Sequence, residues 1–239
     1  MILTNKIPSS NEKFAARSLA TQLFIWAIAL VAPSVAPAAV VFTNFGPGLA
    51  YDTTGGNAVG NAFDGNNYGE ADTFTLGASA NLASLKVALS CSVGCPVAAN
   101  FTIALTGDAG DQPGAIIESF SFPATTLGIL GGNNAPVTAN SVLHPLMTAG
   151  TQYWVTVTSS LAYSIAWNWN SINDTTDQAL STDGGGTWFA PSGLTPAAFE
   201  VDSTASTTVP EPGAGLLLSG GLLACVLCKH LSAKATFLR

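Results

Sequence analysis

Between Val40 and Val201 the chain shows no helical period. Short runs of apolar and β-branched residues are instead broken by Gly, Asn, Asp or Pro every ~8 to 14 residues. A helix needs an apolar stripe held over ten or more residues, so this punctuation leaves strands and turns. Ten strands are predicted, over 40–44, 70–76, 82–90, 100–106, 115–122, 152–159, 162–169, 178–182, 187–190 and 197–202.

Alternation is clearest at Leu85, Val87 and Leu89 and at Phe101, Ile103 and Leu105, each set placing one face inward. Gly107-Asp108-Ala109-Gly110, Gly131-Gly132-Asn133-Asn134 and Asp183-Gly184-Gly185 supply turn residues that tolerate positive φ. Strands without crossover helices predict an all-β body, an antiparallel β-sandwich of jelly-roll type.

Charge is scarce and unevenly placed. Only 9% of the 239 residues are charged, and 48% are hydrophobic. From Ala39 to Val209 twelve carboxylates face one base, Lys86, a net charge of −11. Such a body repels phosphate backbones, which excludes nucleic acid as a partner, whereas cations remain compatible with it.

The remaining bases mark the two ends. Lys6, Lys13 and Arg17 precede an apolar run, Leu19 to Val35, and the small residues Ala36, Pro37, Ala38 and Ala39. This order predicts a secretory signal helix over 1–39 cut by signal peptidase; an uncleaved N-terminal anchor is the alternative. At the other end a Ser/Thr-rich linker, 203–208, leads to Val209-Pro210-Glu211-Pro212, then to the uncharged stretch 213–228 and the bases Lys229, Lys234 and Arg239. As a helix, sixteen residues reach ~24 Å, enough for a single membrane span if the bilayer thins and flanking side chains snorkel. Bases after the span place its end in the cytoplasm and the body outside. Two prolines keep 210–212 extended beside the bilayer.

The tail 209–239 resembles the PEP-CTERM sorting signal of Gram-negative bacteria, also known as the ice-binding protein C-terminal domain. The resemblance implies that Pro210, Glu211 and Pro212 are recognised by exosortase, a membrane-embedded cysteine transpeptidase. It further implies an inner-membrane-anchored precursor delivered to the cell surface or extracellular matrix. The bases here are spread rather than clustered as Arg. The body resembles the choice-of-anchor type R domains through Gly107-Asp108-Ala109-Gly110-Asp111-Gln112-Pro113-Gly114, Leu146 to Val155 and Trp167. That resemblance implies a β-sandwich over 40–202 without an enzymatic site.

Candidate chemistry is sparse. Cys91 and Cys95 close a short loop in an exported body and are expected to form a disulfide; Cys225 and Cys228 lie within the predicted span and read as apolar fillers. His144 is the sole histidine of the body and precedes Pro145, so neither a two-histidine metal site nor a serine hydrolase elbow is available. A carboxylate pair for glycoside cleavage would have to come from acids that nothing singles out.

Asp64, Asn66, Asn67, Glu70 and Asp72 gather hard oxygen donors suited to calcium, although Asx turns account for the same residues; Asp108 and Asp111 form a weaker set. Trp167 and Trp169 share a strand face and serve either as core or as a stacking platform for exopolysaccharide. Trp154, beside Tyr153, and Trp188 pose the same choice. The expectation is a non-catalytic structural or adhesive surface protein, with carbohydrate binding as the alternative and a secreted glycosidase as a remoter one.

Overall fold

The computed structural model describes residues 38–61, 64–92, 99–159, 165–191 and 193–204. All of them fall within the compact unit spanning 37–206. The leader up to residue 37, the sorting motif Pro210–Pro212, the span 213–228 with Cys225 and Cys228, and Cys95 lie outside the described residues. Among the described residues no helix is long and apolar enough to cross a membrane.

The body is all-β. Its strands are β1 (Ala39–Thr43), β2 (Tyr51–Asn61), β3 (Asn67–Thr75), β4 (Ala80–Val87), β5 (Leu89–Cys91), β6 (Asn100–Asp108), β7 (Pro113–Pro123), β8 (Val137–Asn140), β9 (Leu146–Met147), β10 (Gln152–Ser159), β11 (Ile165–Asn170), β12 (Gln178–Ser181) and β13 (Phe199–Ser203). One 3-10 turn, Ala124–Thr126, follows β7. Two antiparallel sheets result: β1-β13-β4-β8 with β9 beside β4, and β5-β11-β2-β3-β10-β6-β7 with β12 beside β3.

Both sheets contribute to one core. Leu82, Leu85, Val87, Phe199 and Val201 from the smaller sheet meet Phe74, Phe101, Ile103, Leu105, Val155, Val157 and Trp167 from the larger, all buried. This is the arrangement of a sandwich, in which each sheet hides one face of a two-residue repeat. On the outer face of the smaller sheet, Lys86 of β4 bridges Glu200 at 2.6 Å and Asp202 at 3.0 Å on β13.

β2 was not predicted, and its composition explains why. Tyr51–Asn61 reads YDTTGGNAVGN, poor in the β-branched and aromatic residues that mark strands. Two of its glycines are required by packing instead. A Cβ on Gly55 would collide with the Trp169 ring, and one on Gly56 would stand 2.6 Å from the Trp167 carbonyl oxygen. The strand exists because β11 lies close against it, paired from Ile165↔Val59 to Asn170↔Tyr51 around a bulge at Trp169.

Candidate functional site

Two carboxylates stand where apolar residues would be expected. Glu70 and Asp72 share the inner face of β3 with Phe74, since side chains two apart point the same way, and both are fully buried. In the ladder Glu70 sits opposite Val157 on one side and Leu180 on the other, and Asp72 opposite Val155 and Gln178. Polar partners come from above. Asn57 Nδ2 donates to Glu70 Oε1 and, at 3.2 Å, to the Thr195 carbonyl. Gln178 Nε2 lies 3.5 Å from Glu70 Oε1 and donates to Thr195 O at 2.9 Å. The Ala197 N–H donates to Asp72 Oδ2 at 3.1 Å.

Two oxygens remain: Glu70 Oε2 and Asp72 Oδ1 are buried with no hydrogen-bond partner among the described residues. Burial, and then the negative charge of Asp72, push the Glu70 carboxyl well above the ordinary range, against the opposing bond from Asn57. Burial likewise raises Asp72, to about 8; the Ala197 N–H and Gln178 oppose the rise and the charge of Asp174 adds to it. Among the described residues no base compensates. Of the two basic side chains among the described residues, Lys86 pairs with Glu200 and Asp202, and His144 Nδ1 lies 2.9 Å from the Leu82 carbonyl.

Of the other members of the expected calcium set, Asp64 is exposed and Asn66 and Asn67 are half-buried, Asn67 Oδ1 being buried with no partner among the described residues. Asp64 accepts from the Asn66 N–H at 3.0 Å and from the Tyr68 hydroxyl at 2.5 Å, an exposed Asx turn closed on itself. Asn67 starts β3, its backbone N–H bonded to the Thr182 carbonyl. The turn at Asp108 is also internally satisfied. Asp108 accepts from Trp154 Nε1 at 2.9 Å, from the Gly110 N–H at 3.1 Å and from Gln152 at 3.2 Å, while Asp111 holds φ 61°.

The tryptophans divide. Trp167 is fully enclosed in the core, its Nε1 donating to the Ala198 carbonyl at 3.1 Å, so it offers no face to a sugar. Trp169 is half-buried over Gly55 and donates to Asn57 Oδ1 at 2.9 Å. Trp154 is fully buried on the outer face of the larger sheet with Ala71 and Ala179, and the half-buried Trp188 packs over them. Beside that cover lies a polar cleft of about 290 Å³ lined by Asn67, Asn100, Thr102, Thr158, Ser159 and Gly184.

No known family and no curated protein matches this chain. What the site can do follows from its own chemistry. Among the described residues no three His, Cys, Asp or Glu side chains group to hold a metal, so a cation at Glu70 and Asp72 must also draw on amide or carbonyl oxygens. Cys91, closing β5, is disulfide-bonded. His144 is an exposed positive-φ residue (φ 47°) whose N–H donates to Ser141 Oγ at 2.9 Å.

The strand predicted over 70–76 is present as β3, but the expected donor set grouped Glu70 and Asp72 with the turn residues Asp64, Asn66 and Asn67 and did not anticipate their burial. The available sign of burial was parity: Glu70, Asp72, Phe74 and Leu76 alternate on one side, and the last two are plainly apolar. A second feature had no sequence signal. Glu118 accepts from Ser141 Oγ at 2.6 Å and from the N–H groups of Val142 and Leu143 at 2.7 and 3.0 Å. Burial pushes its carboxyl up, but these bonds outweigh it and hold Glu118 below its ordinary range. The clamp fixes a turn that leaves Val142 80% and Leu143 68% exposed.

Proposed function

We propose that the protein is an exported component of the cell surface or extracellular matrix, sorted by exosortase, with a jelly-roll-like body in a non-catalytic structural or adhesive role. The sorting half of the reading rests on the basic and apolar leader and on Pro210-Glu211-Pro212 ahead of an uncharged stretch. The adhesive half rests on the Glu118 clamp. Val142 and Leu143 gain nothing from solvent, yet a buried carboxylate with three bonds holds them there. Apolar side chains ordered in advance lower the entropic cost of contact with another surface.

Fractionation of cells carrying the Val142→Ser and Leu143→Ser double variant tests this. The variant should be exported and folded as before but shift from the matrix fraction to the medium. Undiminished matrix retention would remove the adhesive role.

A second reading has one observation in its favour. The polar cleft beside Trp188, with Asn and Thr side chains and a half-buried indole on its margin, has the composition of a shallow sugar site. Quenching or protection of tryptophan fluorescence by purified exopolysaccharide, lost in Trp188→Ala, would favour it; unaltered fluorescence across a polysaccharide panel would count against it.

A further inference from the structure

We propose that Glu70 and Asp72 hold a calcium ion through the two carboxylate oxygens, Oε2 and Oδ1, that have no hydrogen-bond donor among the described residues. The geometry is specific. The two side chains leave the same face of one strand two residues apart, about 7 Å between Cα atoms. The Gln178 amide lies beside both carboxylates. Each carboxylate has one oxygen engaged by protein donors and one orphaned in full burial.

An unpaired buried carboxylate is strongly destabilising, and a second one nearby adds repulsion. With Lys86 and His144 engaged elsewhere, charge neutrality within the pair requires two protons or one divalent cation. A single calcium ion cancels both charges at once and accepts irregular sets of oxygen ligands. One further oxygen stands nearby, the Thr195 carbonyl, which accepts from the Asn57 and Gln178 amides. The donors are all oxygen, with neither imidazole nor thiolate, which disfavours zinc or copper. The net charge of −11 in the surrounding body attracts cations to it.

The test uses the full-length chain in mild detergent at neutral pH, comparing chelator with millimolar calcium. Calcium should raise the wild-type melting temperature by about 5 °C or more. The Glu70→Gln/Asp72→Asn double variant should melt at one temperature in both conditions, and Asp64→Asn should respond like wild type. Terbium, which replaces calcium and is excited through nearby indoles, gives a readout independent of the variants' folding: emission from wild type, displaced by calcium and weakened in Trp169→Phe. The proposal is overturned by a wild-type melting temperature that ignores calcium, which leaves the pair holding protons. It is equally overturned by an undiminished calcium response in the double variant, by loss of the response in Asp64→Asn, or by absence of terbium emission.

Discussion

Trp169 donates its indole N–H to Asn57 Oδ1 across 2.9 Å, and that bond determines which end of the Asn57 amide faces Glu70. With the oxygen taken by Trp169, the NH2 group points at the buried carboxylate. A residue in the β11 bulge thus orients a residue of β2 toward an acid on β3. Trp169→Phe removes the donor and leaves Asn57 Oδ1 unpaired, which should lower stability by about 1–3 kcal/mol. Urea unfolding checks this, with the midpoint falling and the slope unchanged. Gly55→Ala should cost a comparable about 1–3 kcal/mol, because the new methyl meets the same ring.

Trp167 and Trp188 should behave oppositely on truncation. Trp167 is fully enclosed against Phe199, with ring centroids 6.2 Å apart, so Trp167→Ala should destabilise by about 3–5 kcal/mol. Trp188 only half covers its satellite cluster, and its replacement by Ala should cost far less. Equal losses in chemical denaturation would mean that the hairpin over the larger sheet is part of the core.

Stability should depend on pH in a direction set by the buried pair. Asp72 is raised to about 8 in the folded chain. Between pH ~4 and ~8 the unfolded chain therefore loses a proton that the folded chain keeps, and stability falls as pH rises, by up to about 1.4 kcal/mol per unit for each such group. Asp183 has the opposite sign. Bonds from the Thr187 N–H, then from Ser181 and the Thr187 hydroxyl, hold it at about 2, so the stability it lends above pH ~4 is lost as pH falls toward 2. In chelator the melting temperature should decline from pH 5 to pH 8, and the decline should flatten in Glu70→Gln/Asp72→Asn. A melting temperature that rises over that interval would contradict the assignment.

Glu118→Ala should release the 141–143 turn. Two backbone N–H groups and one hydroxyl lose their acceptor, a cost of about 1–3 kcal/mol. Hydrogen exchange at Val142 and Leu143 should accelerate while β10 stays protected. Unchanged exchange there would show that backbone contacts alone hold the turn.

How much of this was legible in the sequence depended on where the signal lay. The strand predicted over 152–159 coincides with β10, whose QYWVTVTS is dense in β-branched and aromatic residues. The run predicted over 82–90 is interrupted at Ala88, whose N–H leaves the ladder for the Ala198 carbonyl; an alanine gives no hint of that. The strand predicted over 187–190 reduces to one bridge, Leu180↔Phe189. β8 and β9 are too short and mixed to show a period, and pair only because β4 lies beside them.

The candidate site was harder still. Glu70 and Asp72 were grouped with the turn acids and asparagines before them, whereas chain from elsewhere, residues 195–197 with β2 and Gln178 of β12, packs against them and helps shut them from water. Burial of that kind is a tertiary property, absent from any local window.

The most direct measurement of the account is the side of the membrane on which the body resides. The β6–β7 turn is a suitable place to ask, because Asp111 is exposed there and held at φ 61° by the hairpin itself. An epitope inserted beside Asp111 should be labelled by antibody on intact cells. Labelling that appears only after the inner membrane is opened would place the sandwich in the cytoplasm and contradict the account.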